Sequence, residues 1–246
     1  MKTIVLAAGY ATRLYPLTEN FPKPLLEIGN NTILGRMLDD IDTIPEISEH
    51  IIVTNHKFAS IFRDWVADRQ ASRASKPIYV LDDGSITNEN RLGAVRDLLL
   101  ALMDFDICED ILVVAADNIL EFSFRGFVEA FKEKKTSMIM CHHEPEVYKL
   151  QRTGVIEVDD DMKVLQMQEK PEVPVSHWAV PPFYIYRKED LPLVRGSIAH
   201  GCGTDAPGNL AHYLVEHTTL HAWPMPGGRF DIGSLDTYEE ARRKYS

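Results

Sequence analysis

The sequence is poor in cysteine and in basic residues, and it contains no long apolar run. Its three cysteines (Cys108, Cys141 and Cys202) are widely spaced and include no CxxC pair, so neither a disulfide framework nor a thiolate zinc site is predicted. Lys and Arg number 26 against 37 Asp and Glu, which gives a net charge of −11. This balance argues against nucleic acid and anionic membranes as partners, because both require a basic surface.

Apolar runs are too short for a membrane protein. No stretch approaches the roughly 20 apolar residues of a membrane span, and polar residues from Tyr10 to Arg13 interrupt the N-terminal run. We therefore predict no signal peptide and a reducing cytoplasm as the location. The nine histidines are scattered along the chain and include no convincing set of metal ligands, so no histidine metal site is predicted. The composition, 45% hydrophobic with 14 Gly and 14 Pro, is that of a globular protein.

Hydrophobic periodicity alternates between strand and helix along the first part of the chain. Predicted strands cover residues 2–8, 50–54, 77–81, 111–116 and 137–141, and predicted helices cover 32–44, 58–65, 92–103 and 123–134. Thr32 is the expected N-cap of the first helix. Farther along, 154–158 and 163–168 are predicted as an antiparallel pair, followed by strands 183–186 and 220–223 and helices 210–217 and 235–244. Apolar strands alternating with helices predict an α/β fold, with a mixed, mostly parallel central sheet flanked by helices and a smaller subdomain.

The loop after the first predicted strand carries the most information. It reads LAAGYATRLYPLT over residues 6–18 and continues as PKPLL over 22–26. Small residues directly after a strand let backbone N–H groups approach a phosphate or a base. Arg13 adds a two-point donor and Lys23 adds a point charge. Only Gly9 is glycine, so the loop is neither a G-x-G-x-x-G fingerprint nor a P-loop.

This string resembles the signature of the sugar-phosphate nucleotidyltransferase family (the NDP-sugar pyrophosphorylases), which reads about LAxGxxTRLxPLT and then PKPLL. The resemblance implies a Rossmann-like nucleotidyltransferase fold and one domain over 1–246. A nucleotide-binding half would cover about 1–143 and a sugar-phosphate-binding half about 144–246. The implied activity is Mg²⁺-dependent transfer of a nucleotidyl group from an NTP to a sugar 1-phosphate, giving an NDP-sugar and pyrophosphate.

The same resemblance implies a role for particular side chains. Asp117, which ends VVAAD, and Asp231, in FDIG, match the family's two metal carboxylates and would hold Mg²⁺. Arg13 and Lys23 would be the catalytic cations. The remaining predicted contacts are Leu6, Ala7, Ala8, Gly9, Asn90, Arg91 and Gly93 to the nucleotide, and Gly154 with Glu169 and Lys170 of an EKP motif to the sugar phosphate.

Three residues depart from the family pattern. Arg91 stands where a glycine is expected beside the base, and either contacts a base carbonyl or phosphate or forms a surface ion pair with Glu89 or Asp97. Pro182 replaces a glycine and Arg229 replaces a tryptophan, both at positions predicted to line the sugar pocket. The nucleobase and the sugar therefore stay open.

Two other functions also remain open at this point. One is a cytidylyltransferase acting on phosphocholine or a phosphonate, and the other is a non-catalytic nucleotide- or sugar-sensing subunit. The oligomeric state is not predicted either, and a homo-oligomer remains an option.

Overall fold

The computed structural model describes residues 1–245. Its strands are β1 (Lys2–Leu6), β2 (Glu27–Ile28), β3 (Asn31–Thr32), β4 (Glu49–Thr54), β5 (Ile78–Asp82), β6 (Ile111–Ala115), β7 (Asn118–Leu120), β8 (Ser137–His143), β9 (Gly154–Val158), β10 (Val164–Glu169), β11 (Trp178–Val180), β12 (Phe183–Tyr186), β13 (Leu220–Pro224) and β14 (Arg229–Asp231). Its α-helices are α1 (Ile33–Ile41), α2 (Ala59–Ser72), α3 (Ala94–Asp104), α4 (Arg125–Lys134), α5 (Val147–Leu150), α6 (Pro192–Ala199), α7 (Gly208–His217) and α8 (Leu235–Lys244). The predicted α/β fold class, with a mixed sheet flanked by helices, is confirmed.

Two compact units make up the chain, and both are discontinuous in sequence. The first comprises Met1–Arg91, Ala115–Arg125 and the chain from Gly227 onward, and the second comprises Leu92–Val114 and Gly126–Pro226. Within the described residues, none of the helices combines the length and apolar character needed to cross a membrane.

The first unit contains parallel strands in the order β1-β4-β5. These strands are apolar because they are buried, as Ile4, Ile51 and Val53 illustrate with no exposed surface. The carboxyl ends of parallel strands lie at one edge of a sheet, so the loops that follow β1, β4 and β5 are neighbours there. That edge is where the sequence motif over residues 6–18 begins.

A second core in this unit supports the residues predicted to bind metal. Its buried members are Leu14, Leu26, Ile28, Ile33, Ile119, Ile232, Tyr238 and Ala241. Ile119 lies one residue beyond Asn118, and Ile232 directly follows Asp231. Burial of these two isoleucines fixes the backbone on which the candidate carboxylates stand, because a buried side chain loses its freedom to move.

The second unit is mostly antiparallel. Its strands run in the order β10-β9-β11-β8-β12-β6, and β13 pairs in parallel with β8. The predicted antiparallel pair of β9 and β10 is confirmed, with Gly154 opposite Glu169. This register places both ends of the predicted sugar-phosphate motif side by side.

A buried ion cluster ties α1 to α2 in the first unit. Arg69, of which only 5% is exposed, donates from Nη2 to Asp39 Oδ1 at 2.8 Å and to Asp42 Oδ2 at 3.0 Å. Asp42 Oδ1 also lies 2.9 Å from His50 Nε2 and accepts from the backbone N–H of Lys76 at 3.2 Å. Burial alone would raise the pKa of Asp42, but these partners outweigh it and lower the pKa below its usual value.

We expect Asp42→Asn to destabilise the protein by about 2 kcal/mol at pH 7, because the buried guanidinium of Arg69 keeps only Asp39. Folding lowers the pKa of Asp42, so its ionised form stabilises the fold above about pH 4 and this contribution is lost as the pH falls. Urea titrations at pH 7 and at pH 3 measure the difference between wild type and variant. It should shrink at pH 3, and an equal difference at both pH values would contradict the assignment. Exposed Asp68→Asn serves as the control.

Candidate active site

The loop after β1 is fixed by hydrogen bonds and leaves open space at Gly9. The backbone N–H of Ala7 donates to Val53 O at 2.9 Å, and the buried Asn55 side chain donates from Nδ2 to Ala8 O at 3.0 Å. Gly9 is exposed, and a Cβ added there would meet no atom within 4 Å. Leu6, Ala7, Ala8 and Gly9 thus form a hydrogen-bonded backbone with room for a ligand at Gly9, as a nucleotide loop requires.

Lys23 lies at the start of a single 3₁₀ turn, Lys23–Leu25. Only 7% of the residue is exposed, and its Nζ donates to Asp117 Oδ2 at 3.0 Å. These residues are 94 positions apart, and both belong to the first unit. The structure therefore joins the predicted catalytic lysine to the first predicted metal carboxylate.

A two-stranded ribbon sets the second carboxylate beside the first. Strand β14 pairs antiparallel with β7, so Asp231 lies opposite Asn118. The backbone N–H of Ile232 donates to Asp117 O at 3.2 Å. Directly opposed residues in such a ribbon have Cα atoms about 4.5–5.5 Å apart. Asp117 is the neighbour of Asn118 in the chain, so the ribbon brings the two aspartates into one place.

The electrostatics of Asp231 agree with this placement. Its side chain reaches solvent, but desolvation by the surrounding protein raises its pKa, and the nearby Asp117 carboxylate raises it further. Lys23, Arg229 and Arg13 lower the same pKa because each is a cation close enough to stabilise the ionised form. Arg13, which is exposed, therefore belongs to this group of charges.

This donor set fits a hard divalent cation. Two carboxylates that repel one another at a partly solvent-open position gain by sharing a cation between them. In the described part of the chain, no cluster of three or more His, Cys, Asp or Glu side chains could hold a metal ion. That is compatible with Mg²⁺, which keeps several waters and commonly takes one or two carboxylates together with substrate phosphates.

Asn118 is a residue of this site that the sequence patterns did not indicate. Only 2% of it is exposed, and its Nδ2 donates to Asp117 Oδ1 at 2.6 Å. Arg229, predicted to line the sugar pocket, donates from Nη1 to Asn118 Oδ1 at 2.7 Å. In the sequence, Asn118 stands between Asp117 and two apolar residues, and this local pattern gives no indication of its hydrogen-bond partners.

In the second unit, the predicted sugar-phosphate residues also lie together. The side chain of Glu169 is 17% exposed, and its Oε1 lies 3.9 Å from Lys170 Nζ. Lys170 has a positive φ of 50° and donates its backbone N–H to Thr153 O at 3.0 Å. Burial raises the pKa of Glu169, Lys170 opposes the increase and Asp205 adds to it.

Two glycines make space for the Glu169 carboxylate. A Cβ at Gly154 would lie 3.4 Å from Glu169 Oε2, and a Cβ at Gly208 would lie 2.0 Å from the same oxygen. Gly208 was not predicted as a site residue. It is the first residue of α7, and any side chain there would displace the carboxylate.

The predicted base-selecting residues divide between the two units. In the first, Asn90 Oδ1 accepts from the backbone N–H of Thr87 at 2.9 Å, and Arg91 Nη1 donates to Asn88 O at 2.9 Å. In the second, Gly93 has a φ of +89°, and a Cβ there would lie 2.6 Å from Thr204 O. The side chains of Asn90 and Arg91 therefore hydrogen-bond within their own loop. At residue 93 the backbone conformation and the nearby carbonyl of Thr204 leave no room for a side chain, so a glycine is required there.

Comparison with known proteins decides the family. The profile of the nucleotidyl transferase family matches residues 2–246. The chain belongs to the nucleotidyl transferase family. The resemblance seen in the sequence is thereby confirmed.

Among the relatives of this chain is a Sulfolobus acidocaldarius protein named as a mannose-1-phosphate guanyltransferase. It is 29% identical over 234 residues, which cover 95% of this chain and 60% of the relative. A UTP–glucose-1-phosphate uridylyltransferase of Haloferax volcanii is 25% identical over 253 residues, covering 99% of this chain and 96% of the relative. The chain thus spans 60% of the length of the first relative and nearly all of the second.

Solved structures show the same fold. A Bacillus anthracis protein named as a glucose-1-phosphate thymidylyltransferase superposes with a TM-score of 0.81 at 24% identity, covering 100% of this chain and 95% of that one. A UDP-glucose pyrophosphorylase in complex with UDP-glucose superposes with a TM-score of 0.81 at 18% identity, covering 99% and 97%. At these identities the likeness concerns the fold alone.

Proposed function

We propose that this chain transfers a nucleotidyl group from an NTP to a sugar 1-phosphate, releasing pyrophosphate, and that the reaction depends on Mg²⁺. One observation carries the proposal: Lys23 Nζ lies 3.0 Å from Asp117 Oδ2, and the ribbon of β7 and β14 brings Asp231 to the same place. A buried cation beside two carboxylates suits a polyanionic substrate that arrives with a divalent ion. The names of the relatives agree with this substrate class.

In the proposed reaction, a phosphate oxygen of the sugar 1-phosphate attacks the α-phosphorus of the NTP and pyrophosphate leaves. No general base is needed, because the attacking phosphate is already ionised at neutral pH. Transfers of this type depend on alignment and on neutralisation of charge. Arg13 would bind the leaving phosphates, and Lys23 would contact the α-phosphate and the incoming phosphate. Mg²⁺ held by Asp117 and Asp231 would supply further charge neutralisation at the phosphates.

The other predicted residues would bind and orient the two substrates. The backbone of Leu6, Ala7, Ala8 and Gly9 would contact base and ribose, together with the backbone of Asn90, Arg91 and Gly93. Glu169 would accept hydrogen bonds from sugar hydroxyls, Lys170 would bind the sugar phosphate, and Gly154 would leave space for the Glu169 carboxylate. The free thiols of Cys108, Cys141 and Cys202 are compatible with the reducing cytoplasm that we propose as the location.

An assay of all four NTPs against a panel of sugar 1-phosphates, scored by pyrophosphate release, tests the proposal. Phosphocholine is included in the panel, and each reaction is run with Mg²⁺ and with excess chelator. We expect release only when an NTP, a sugar 1-phosphate and the metal are all present. Release with CTP and phosphocholine alone would indicate a cytidylyltransferase. Nucleotide binding without turnover for any pair would indicate a sensing subunit.

We expect Arg91→Ala to change kcat/KM by less than about threefold for each NTP, because an exposed side chain that bonds its own loop contributes little. The guanidinium donates to Asn88 O at 2.9 Å and to Asn88 Oδ1 at 3.1 Å. Measuring kcat/KM for four nucleotides in wild type and variant checks this expectation. A loss confined to one base would instead favour the base-contacting interpretation, since a guanidinium can read only acceptor atoms.

A further inference from the structure

Arg229 stands at one end of a chain of side-chain hydrogen bonds that reaches the proposed metal site. Its Nη1 donates to Asn118 Oδ1 at 2.7 Å, and Asn118 Nδ2 donates to Asp117 Oδ1 at 2.6 Å. The other carboxylate oxygen, Asp117 Oδ2, accepts from Lys23 Nζ at 3.0 Å. Both oxygens of Asp117 are therefore held, one by a catalytic candidate and the other by Asn118.

The guanidinium determines which way the Asn118 amide faces. A guanidinium can donate hydrogen bonds but cannot accept them. It therefore binds the amide oxygen of Asn118 and not the amide N–H groups. With the oxygen turned to Arg229, the amide nitrogen must point toward Asp117. Since only 2% of Asn118 is exposed, bulk water cannot fix this orientation in place of Arg229. Without the guanidinium, the amide could turn its oxygen toward the carboxylate, which is an unfavourable contact.

The strand register brings Arg229 to the correct place. Arg229 and Asp231 are separated by one residue on β14, so their side chains leave the same face of the strand. Opposite them on β7, Asp231 pairs with Asn118 and Arg229 pairs with Leu120. The backbone ladder thus places the arginine diagonally across from Asn118. This diagonal lies within the reach of a long side chain.

We propose that Arg229 is a positioning residue that sets the orientation of Asp117 through Asn118 and so strengthens divalent-metal binding. This inference rests on the proposed function only in taking Asp117 as a metal ligand. Removal of the outer hydrogen-bond partners that orient a metal ligand typically changes metal affinity by about 10–100-fold, and Arg229 acts one step farther out, so the low end of this range is expected.

The direction in which metal affinity changes on removal of Arg229 distinguishes its role in orienting Asp117 from the direct effect of its positive charge. As a cation near the site, Arg229 repels a divalent ion, so loss of its charge alone would tighten metal binding. Loss of its hydrogen bond to Asn118 would weaken metal binding. The proposal therefore requires weaker binding when the guanidinium is removed, against the sign of the direct electrostatic effect.

Calorimetric titration of the full chain with Mn²⁺, without substrates, tests the proposal. Arg229→Met keeps the apolar stem and removes the donors, and we expect its Kd for Mn²⁺ to rise about tenfold. Arg229→Lys restores a donor and should recover most of the affinity, which also covers the case in which the methionine variant folds poorly. Arg242→Met, at an exposed position on α8, is the matched control and should bind Mn²⁺ like wild type.

A double-mutant cycle with Asn118→Ala tests whether Arg229 acts through the amide. We expect the double variant to bind Mn²⁺ no more weakly than Asn118→Ala alone, because the relay is already broken. Unchanged or tighter binding in Arg229→Met, or additive losses in the cycle, would overturn the proposal. Activity of Arg229→Met should recover at high metal concentration, which a purely structural defect would not show.

These measurements are independent of substrate identity. If wild type binds Mn²⁺ with the expected dependence on Arg229 but turns over no NTP and sugar 1-phosphate, the positioning inference stands and the proposed function fails. If turnover is observed but Mn²⁺ affinity is insensitive to Arg229, the proposed function stands and the positioning inference fails.

Discussion

Asp117→Asn and Asp231→Asn are each expected to lower kcat by about 10³-fold, since loss of one ligand charge removes several kcal/mol of transition-state stabilisation and each 1.36 kcal/mol is a factor of ten. The reason lies in the arrangement of the site. Both carboxylates stand on or beside the ribbon of β7 and β14, so each would contribute directly to holding a cation there. Steady-state pyrophosphate release measures the loss.

Stability should move differently from activity in Asp231→Asn. Desolvation and the repulsion of Asp117 raise the pKa of Asp231, so its ionised form is disfavoured in the folded state. Replacing it by the neutral asparagine should therefore leave the melting temperature unchanged or raise it. Loss of activity together with a lower melting temperature would indicate a structural role instead. Asp68→Asn, exposed on α2, should affect neither quantity, and full wild-type activity in excess chelator would contradict the metal assignment outright.

Local sequence patterns predicted those parts of the fold that depend on neighbouring residues. Thr32 was expected to cap the first helix, and its Oγ1 accepts from the backbone N–H of Gly35 at 2.9 Å. The antiparallel pair of β9 and β10 was predicted as two short strands close together in the sequence, and it is present. Caps and hairpins are decided over a few residues, so a single sequence contains their signals.

The elements that shape the metal site could not be predicted in this way. Strands β7 and β14 have three residues each, which is too short for a period of two to be recognised. Their pairing joins Arg229 to Asn118 across 111 positions. Helix α6 was also missed, although Pro192 at its first position is a common helix start.

Family resemblance supplied Asp117, Asp231, Lys23 and Arg13, but it could not supply their mutual geometry. The contact between Lys23 and Asp117 depends on a 3₁₀ turn and on a strand end that lie 94 positions apart. Arg229 was noticed only as a departure from the family pattern, and its partner Asn118 became visible only in three dimensions. Long-range pairs of this kind are set by tertiary packing rather than by local propensity.

Lys23→Met is expected to lower kcat/KM by at least about 10²-fold, because a preorganised cation at the reacting phosphates is among the strongest contributions to such transfers. We expect the stability of the protein to stay the same or to increase. Lys23 is buried, and replacing a buried charge by an apolar side chain of similar volume is often neutral or stabilising. Its partner Asp117 keeps contact with water, since 38% of that side chain is exposed, and so is not left as an isolated buried charge.

The matched control is Lys76→Met, which removes a half-buried lysine of the same unit whose Nζ donates to Ile44 O. This variant should retain full kcat/KM, because Lys76 belongs to the ion cluster around Asp42 and not to the site. Kinetics and thermal melting of both variants are measured together. If Lys23→Met melts well below wild type while its folded fraction turns over at the normal rate, Lys23 supports the fold and the phosphate-binding role fails. If it melts normally and KM for the sugar phosphate rises as kcat falls, Lys23 contacts the attacking phosphate in the ground state as well as in the transition state.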